Sequence, residues 1–258
     1  IVKLYIRISL MKIPKITIIL PNYNSFLFIK KTINSVINQS YKNWKLIIVD
    51  DCSNEKTKSV LKKFLYHKKI KIFWLKKNKG AAYCRNFAIK KSKSKYFAFI
   101  DSDDLWKKQK LKKQINFMEK FNYDFSYTNY ETFGKSINYI NPPNKINFDK
   151  FIHNTSIGTS TMIIASKVVK GINFTNTKIC EDYIFKCKIL KKVKYAYCLN
   201  QYLTKYRLRH NSLQSNPLKN FYWIWKINYF YNQLNFFQNC KSLFFITINS
   251  LKKYGLKL

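Results

Sequence analysis

Short β-rich runs alternate with helical stretches along the first part of the chain. The runs cover residues 15–20, 44–49, 70–75 and 96–100, and their length and apolar character are typical of buried strands. Between them, apolar residues recur every three to four positions, as they do in amphipathic helices. Because the connections are short, these successive strand–helix units predict an α/β fold with a mostly parallel central sheet.

The pattern is less regular in the second part of the chain. Alternation predicts strands at 125–133, 161–165, 195–199 and 202–208, whereas the Asn-rich stretch 134–157, which holds two prolines, predicts a loop region. The α/β pattern therefore continues there with longer connections.

Carboxylates follow the run 96–100 directly, at Asp101, Asp103 and Asp104. Open α/β sheets bind their ligands in the crevice at the carboxyl ends of their strands. In an extended segment Asp101 and Asp103 point the same way, so they are placed to share a divalent cation that also carries phosphate oxygens. An Asp-rich start of a helix is the simpler interpretation of the same residues.

Phosphate-binding glycine loops are missing from this sequence. Neither G-x-G-x-x-G nor G-x-x-x-x-G-K-[ST] occurs, and the chain has only five glycines. A phosphate group at the sheet edge would therefore be bound by a metal ion and by side chains.

The net charge is +37, from 49 Lys and Arg against 12 Asp and Glu. Nucleic-acid binding is the alternative function that such a charge suggests, but it predicts basic and aromatic residues on one face with Arg prominent. Here Lys is spread along the whole chain beside abundant Asn, Ile, Tyr and Phe, as in A/T-rich coding. We therefore expect no nucleic-acid partner and treat the few arginines as more informative. They are Arg7, Arg85, Arg207 and Arg209.

The cysteines and the apolar runs bear on the compartment. The six cysteines form no C-x-x-C pair, which argues against a zinc ribbon, and scattered cysteines without a secretory signal predict reduced thiols in the cytoplasm. No apolar run reaches the about 18 residues of a membrane-spanning helix. We expect residues 1–11 to be an extension, because Met11 directly precedes the first strand.

Six short motifs occur in order between residues 13 and 215. In this order and spacing, the chain resembles the family-2 inverting glycosyltransferases with the GT-A fold, of the bacterial polysaccharide and lipooligosaccharide type. One departure is Cys52, which stands where the family often has Gly. The motifs are Ile16–Asn24 with its P-x-Y-N turn, Ser35–Tyr41 (S-V-I-N-Q-S-Y), Ile47–Ser53 (I-I-V-D-D-C-S), Asn78–Asn86 (N-K-G-A-A-Y-C-R-N), Asp101–Asp104 (D-S-D-D) and Glu181–Tyr183 (E-D-Y).

The resemblance implies a Rossmann-like, mostly parallel central sheet flanked by helices. The GT-A catalytic domain would cover residues 12–215, with a nucleotide-binding half at 12–106 and an acceptor half at 107–215. Residues 216–258, which are aromatic and basic, would form a C-terminal helical appendage outside the match.

The resemblance also implies a reaction. A sugar would move with inversion from a nucleotide-sugar donor, a UDP-hexose or UDP-N-acetylhexosamine, to a hydroxyl of a glycan or lipid-linked acceptor in cell-surface polysaccharide biosynthesis. Asp182 would be the general base. Asp103 and Asp101 would bind Mn²⁺ or Mg²⁺, which stabilises the charge of the departing diphosphate.

A further set of residues would surround the nucleotide sugar. The turn 21–24 and Asp51 would contact the base and ribose, and Arg85 would lie near the nucleotide as a fork suited to phosphate or carboxylate. Arg207 and His210 resemble a segment that closes over the diphosphate, although an ordinary surface histidine is an equal interpretation of His210. The set is Pro21, Tyr23, Asn24, Asp51, Arg85, Asp101, Ser102, Arg207 and His210.

Other interpretations stay open. An inactive relative predicts loss of the metal or base carboxylates, yet Asp101, Asp103 and Asp182 are all present. A nucleotidyltransferase would also use strand-end acids, but it gives no reason for the Glu181–Asp182 pair. Acids in a first helical turn are also favoured by the helix dipole alone.

The tail from residue 221 to 258 mixes aromatic residues with Lys, as interfacial helices do. It predicts loose binding to the inner face of the cytoplasmic membrane, where lipid-linked acceptors would be met. Packing of the tail on the catalytic domain is the equal alternative.

Overall fold

A computed structural model describes residues 15–177, 179–209 and 217–254, and these contain ten strands in a single sheet. In chain order the strands are β1 Ile16–Asn22, β2 Trp44–Asp50, β3 Ile70–Trp74, β4 Tyr96–Phe99, β5 Leu105–Trp106, β6 Phe125–Gly134, β7 Tyr139–Ile140, β8 Lys145–Ile146, β9 Ile163–Ala165 and β10 Ala196–Leu208.

Within the same described residues, nine α-helices and the 3₁₀ turn 159–161 connect or flank the strands. The helices are α1 Ile29–Ile37, α2 Glu55–Lys62, α3 Gly80–Lys90, α4 Lys110–Lys120, α5 Phe148–Phe151, α6 Ser166–Val169, α7 Glu181–Lys192, α8 Pro217–Phe230 and α9 Phe236–Tyr254.

The main path of the sheet has the order β3–β2–β1–β4–β9–β6–β10–β5. The first four strands are parallel, as the strand–helix repeat predicts. β9 then runs antiparallel to both of its neighbours, so the second part of the sheet is mixed. The α/β class is confirmed, and the sheet continues without a break from the predicted nucleotide-binding half into the predicted acceptor half.

Two predicted elements differ from the observed ones. The separate strands predicted at 195–199 and 202–208 are one long strand, β10, which pairs in parallel with β6 across two register shifts. Such irregularities insert residues into a strand and break its alternation, which explains the apparent gap. The loop region predicted at 134–157 contains the short strands β7 and β8 and the helix α5.

Helix α1 uses a polar stripe to hold the acidic segment that follows β4. Thr32 Oγ1 donates to the carbonyl of Ser102 at 3.0 Å, and the Trp106 amide donates to Ser35 Oγ at 3.2 Å. One turn further on, the buried Gln39 donates to the carbonyl of Lys107 at 3.0 Å and accepts from the first turn of α4. The S-V-I-N-Q-S-Y motif therefore fixes the backbone around the strand-end carboxylates.

The C-terminal helices α8 and α9 form a hairpin that packs on α7 and on the segment after α5. Its inner side is polar: Asn228 accepts from the hydroxyl of Tyr183 at 2.8 Å and donates to Ser242 at 2.9 Å. Asn249 donates to the carbonyl of His153 at 2.9 Å. Among the helices described, none combines the length and apolar character that crossing a membrane requires.

Candidate active site

The predicted site residues gather at one edge of the sheet, where β2, β1 and β4 lie side by side and end in the same direction. Residues 21–24 form the last two positions of β1 and the turn after it, the pair Asp50–Asp51 closes β2, and the segment 101–104 follows β4. Topology therefore brings together three motifs that are far apart in sequence, at the place where open α/β sheets bind their ligands.

The turn after β1 is locked to the end of β2 by hydrogen bonds between side chains and backbone. Asn22 Nδ2 donates to Asp50 Oδ1 at 2.6 Å, and the Asn24 amide donates to Ser53 Oγ at 2.9 Å. Of the predicted residues in this turn, Pro21 is buried, whereas Tyr23 is 52% exposed. Tyr23 is thus the member of the turn whose ring is open to a ligand.

The backbone of Cys52 explains the departure noted in the I-I-V-D-D-C-S motif. Its φ is +62°, in the left-handed region that glycine adopts most readily. A glycine would adopt this conformation without strain, and this chain meets the requirement of the turn with Cys52.

Asp51 ties β2 to the start of α3. Its Oδ1 accepts from the Lys79 amide at 2.7 Å and its Oδ2 from the Gly80 amide at 2.8 Å. A carboxylate at a helix N-terminus satisfies amides that have no partner inside the helix. Asp51 thus has a structural role here, and its contact with the base or ribose stays a prediction.

Arg85 lies on α3 and joins the two sides of the crevice. Its side chain is 5% exposed, and it donates from Nη2 to Asp101 Oδ1 and from Nη1 to Glu181 Oε1, both at 2.8 Å. Burial acts to lower the pKa of Arg85, but the two carboxylates outweigh it and raise the pKa. The guanidinium is therefore a permanent cation between two anions, and its contact with the nucleotide stays a prediction.

The end of β10 covers the acidic segment. Arg209 Nε pairs with Asp103 Oδ2 at 2.8 Å, and Arg207 donates from Nε to the carbonyl of Asp103 at 3.0 Å. Burial raises the pKa of Asp103; Arg209 acts against this, and the nearby Asp101 adds to it. The contact of Arg209 has no signal in the motifs, because it depends on β10 lying beside the segment.

Asp104 and Ser160 of the 3₁₀ turn attach the segment 101–104 to its neighbours. Asp104 Oδ1 accepts from the Arg207 amide at 2.9 Å, and Ser160 Oγ accepts from the Asp101 amide at 3.0 Å. Burial raises the pKa of Asp104, and the neighbouring carboxylates of Asp103 and Asp101 add to this. Ser160 lies in no recognisable motif, so the sequence carried no signal for its role.

The pair Glu181–Asp182 opens α7 after Cys180, whose φ of +62° places it in the left-handed region. Asp182 Oδ2 accepts from Thr159 Oγ1 at 2.8 Å and pairs with Lys186 Nζ at 2.7 Å. These partners are side chains, whereas Cys180, the residue before the helix, makes no side-chain capping bond. Asp182 therefore has specific partners in addition to the favourable position of an acid in the first helical turn.

The charge state of Asp182 follows from these contacts. Burial acts to raise its pKa, but the ammonium of Lys186, with help from Arg85 and Thr159, outweighs this and lowers the pKa below the ordinary value. Asp182 is therefore an ionised carboxylate at neutral pH. Its side chain is still 20% exposed, which leaves it accessible from the crevice.

The oxygen donors of Asp101 and Asp103 fit a hard divalent cation. Within the described residues, no three His, Cys, Asp or Glu side chains come together to hold a metal ion by themselves. Mg²⁺ is commonly bound through one or two carboxylates, with phosphate oxygens and water completing its shell. Asp103 already contacts a cation, Arg209, so its position favours positive charge. The predicted site residue His210 lies outside the described residues.

Comparison with known proteins shows the family of the chain. Residues 17–183, more than half of the chain, match the model of the family described as Glycosyl transferase family 2. The chain belongs to glycosyl transferase family 2. As a family-2 glycosyltransferase it is a transferase, as the motifs predict.

Two curated relatives support the family. The chain is 36% identical over 211 residues to the putative teichuronic acid biosynthesis glycosyltransferase TuaG of Bacillus subtilis (strain 168), covering 80% of this chain and 84% of the relative. It is 34% identical over 207 residues to UDP-Glc:alpha-D-GlcNAc-diphosphoundecaprenol beta-1,3-glucosyltransferase WfgD of Escherichia coli, covering 79% and 81%.

The fold of this family-2 glycosyltransferase resembles that of S. aureus TarS, solved as residues 1–349 in complex with UDP-GlcNAc. The TM-score is 0.71 and the identity 23%, with 83% of this chain and 65% of the TarS chain covered. The chain thus spans slightly less than two thirds of that structure. At this identity the likeness concerns the fold, and the predicted GT-A fold is confirmed.

Loss of the Arg85 cation should destabilise the protein strongly. Arg85→Met leaves two carboxylates without their partner, and breaking such a buried pair costs about 3–5 kcal/mol. Arg85→Lys keeps the charge but lacks the fork that reaches both carboxylates, so it should recover only part of the loss. The measurement is the free energy of unfolding in urea.

A matched control is Lys58→Met, which removes a cation from the exposed pair with Glu55. It should leave the free energy of unfolding near the parent value. Equal stability of Arg85→Met and the parent would contradict the bridging role.

Proposed function

We propose that this glycosyltransferase transfers a hexose or N-acetylhexosamine from a UDP-linked donor to a hydroxyl of a lipid-linked or growing glycan, with inversion, in the synthesis of cell-surface polysaccharide. The observation that carries the proposal is the bridge through Arg85, which sets the carboxylates of Asp101 and Glu181 across one crevice and brings Asp182 with them. The names of TuaG and WfgD, and the UDP-GlcNAc bound by TarS, support the donor and acceptor classes.

The donor would lie along the carboxyl ends of β1, β2 and β4. In this pose the exposed ring of Tyr23 and the turn around it face the base, and Asp51 and Ser102 lie near the ribose. Arg207 would approach the diphosphate from the end of β10, and the predicted contact of His210 lies outside the described residues. Arg207 is held above two rings, Phe28 at 4.5 Å and Phe133 at 4.2 Å, and this preorganises its guanidinium.

Asp103 and Asp101 would hold Mn²⁺ or Mg²⁺ together with the donor diphosphate. When bound, the ion supplies neutralisation of the charge that develops on the leaving diphosphate. Asp103 is buried and positioned by its own backbone contacts with Arg207. Its Oδ2 is paired with Arg209 at 2.8 Å, so a bound ion would share or replace that contact.

Asp182 would accept the proton of the acceptor hydroxyl. As the O–H bond breaks, the acceptor oxygen forms its bond to the anomeric carbon, and the bond from that carbon to the diphosphate oxygen breaks on the opposite side. A single displacement of this kind inverts the anomeric centre. Glu181 holds Arg85 instead, so the two neighbouring acids have different partners and different roles.

The hairpin of α8 and α9 would contact an anionic lipid bilayer through its outer face. Among the described residues, ten of the nineteen exposed large hydrophobic side chains lie on this hairpin, although its inner side is polar. Exposed apolar patches of this kind mark interaction surfaces. The ten exposed side chains are Leu218, Tyr222, Tyr229, Phe230, Tyr231, Phe236, Phe237, Phe244, Phe245 and Leu251, of which Phe245 also contacts the ring of His153.

The positive charge of the hairpin indicates an anionic partner. Residues 217–254 contain five lysines and neither Asp nor Glu. A surface with aromatic rings, lysines and no acids is complementary to anionic headgroups above an acyl layer. WfgD, by its name, acts on a diphosphoundecaprenol-linked sugar. A lipid-linked acceptor would place the reaction at such a surface.

Donor binding should depend on the metal and on Asp103. In the presence of Mn²⁺, UDP-glucose or UDP-N-acetylglucosamine should raise the unfolding temperature of the parent, because a ligand at about 100 times its Kd contributes about 2.7 kcal/mol. Asp103→Asn should lose the part of this shift that requires Mn²⁺. Asp149→Asn, which changes an exposed aspartate of α5, is the control.

Full transfer activity in excess EDTA, or a parent-like Mn²⁺-dependent shift in Asp103→Asn, would show that the metal site is misassigned. Absence of any shift across UDP-, GDP- and ADP-sugars would contradict the donor class.

Removal of the base should slow transfer without weakening the donor. General-base catalysis contributes roughly 10²–10⁴-fold in rate, so Asp182→Asn should lose about that much in kcat. Glu181→Gln should be milder, since Glu181 contacts Arg85 and not the acceptor. Turnover gives the rates, and calorimetry gives the donor Kd. Parent-like turnover of Asp182→Asn would exclude it as the base.

Binding to vesicles should require the outer face of the hairpin. Phe237→Ser combined with Phe244→Ser should reduce binding to phosphatidylglycerol-containing vesicles at least about tenfold, because both rings leave the interface. The control changes two exposed rings elsewhere, Tyr66→Ser with Phe121→Ser. Cosedimentation at low salt is the measurement, and an unbound parent would refute this surface.

A further inference from the structure

Lys186 is a buried cation whose carboxylate partner, within the described residues, is Asp182. Its side chain is 5% exposed, and its ammonium lies 2.7 Å from Asp182 Oδ2, one helical turn away on α7. Burying a lysine is costly unless its charge is paired. The ammonium is therefore held where it is by Asp182, and it reciprocally restricts where that carboxylate lies.

Thr159 fixes the same oxygen from another element. Its hydroxyl, on the 3₁₀ turn, donates to Asp182 Oδ2 at 2.8 Å. The turn itself is anchored, because the next residue, Ser160, accepts from the Asp101 amide and takes the Trp106 indole N–H on its carbonyl at 2.8 Å. Asp182 is thus tied to the part of the chain that presents the predicted metal-binding carboxylates.

Both contacts end on one oxygen. In the described part of the chain, the hydrogen bonds to the side chain of Asp182 all go to Oδ2. The side chain nevertheless retains 20% exposure. Two donors on Oδ2 fix the plane of the carboxylate and leave Oδ1 as the oxygen to meet a ligand.

We propose that Lys186 and Thr159 are positioning residues that orient Asp182 so that Oδ1 receives the acceptor proton. This inference rests on the proposed role of Asp182 as the base. During transfer the proton passes from the acceptor hydroxyl to Oδ1, the freed oxygen bonds to the anomeric carbon, and the diphosphate leaves with the electrons of the broken bond. Lys186 takes no part in the proton transfer.

The ion pair of Lys186 with Asp182 keeps the carboxylate in place and ionised, and in return it makes the carboxylate a weaker base. A nearby ammonium lowers the proton affinity of a carboxylate, and the charged groups that face Asp182 are Lys186 on α7 and Arg85 on α3, with Glu181 beside it. Without Lys186, burial would dominate and the pKa of Asp182 would rise. Below that raised pKa the base would be protonated and inactive.

The test is the pH profile of kcat for variants of both positioning residues. Lys186→Met should lower kcat about 10–100-fold, the scale expected for a misplaced catalytic group, and should move the acid limb of the profile to higher pH. Lys186→Arg should restore most of kcat. Thr159→Val, which removes only the hydroxyl donor, should lower kcat with the donor KM little changed, and Thr159→Ser should restore it.

Lys188→Met is the matched control, since Lys188 lies on the same helix but donates to Thr175 at 2.9 Å and does not contact Asp182. It should keep the parent kcat and pH profile. If Lys186→Met does not fold, the Thr159→Val and Thr159→Ser pair still decides the question.

The outcomes separate this inference from the proposed function. If Asp182→Asn is inactive while Lys186→Met and Thr159→Val keep the parent kcat and pH profile, the positioning role is wrong and the proposed base stands. A lowered kcat with an unshifted acid limb in Lys186→Met overturns the positioning role too, because that pattern indicates a merely structural lysine. An active Asp182→Asn instead refutes the proposed base.

Discussion

One buried guanidinium sets the arrangement of the whole crevice. Arg85 cannot lose its proton and is almost fully covered, so its position is tolerable only with negative charge on both sides. Asp101 supplies one charge from the end of β4, and Glu181 supplies the other from the start of α7. The loops that carry these two acids are therefore held at a fixed separation, and Asp182 and Asp103, their near neighbours in sequence, take their places from it.

The acidic segment is held on several sides by groups that bind its backbone. Thr32 and Ser35 hold it from α1, Ser160 from the 3₁₀ turn, and Arg207 from the end of β10. These contacts all use backbone atoms of the segment. The carboxylates of Asp101 and Asp103 therefore pair with other groups, the guanidinium ions of Arg85 and Arg209. The price of this order is the burial of Asp103 and Asp104, whose pKa values are raised as a result.

The C-terminal hairpin of α8 and α9 packs against α7 on one side and is exposed to solvent on the other. Its polar inner side satisfies Tyr183 of α7 through Asn228, and so the helix that carries Asp182 is buttressed from behind. Ten large hydrophobic side chains of the same hairpin are exposed. The hairpin thus supports the helix that carries the proposed base and exposes the side chains of the proposed membrane contact.

Much of the fold could be read from the sequence because its signals are local. Strand and helix periods, the acids at strand ends and the six motifs predict the parallel half of the sheet, the edge that carries the site and the family. These features depend on neighbouring residues, and the order of residue types determines them directly. At Cys52 the sequence showed only a departure from the family that it resembles, and the left-handed backbone there came from the structure.

The pairings inside the site were decided only by the tertiary structure. Arg85 meets Asp101 and Glu181, Arg209 meets Asp103, and Thr159 meets Asp182, across 16 to 106 residues of chain. The tertiary structure also decided that the two predicted strands form the single strand β10 and that β9 pairs antiparallel with β4. A periodic pattern indicates which face of an element is buried, but not which distant charged side chain lies against that face. Each buried charge needs an opposite charge beside it, and only the packing of distant segments in the folded chain determines which residue supplies it.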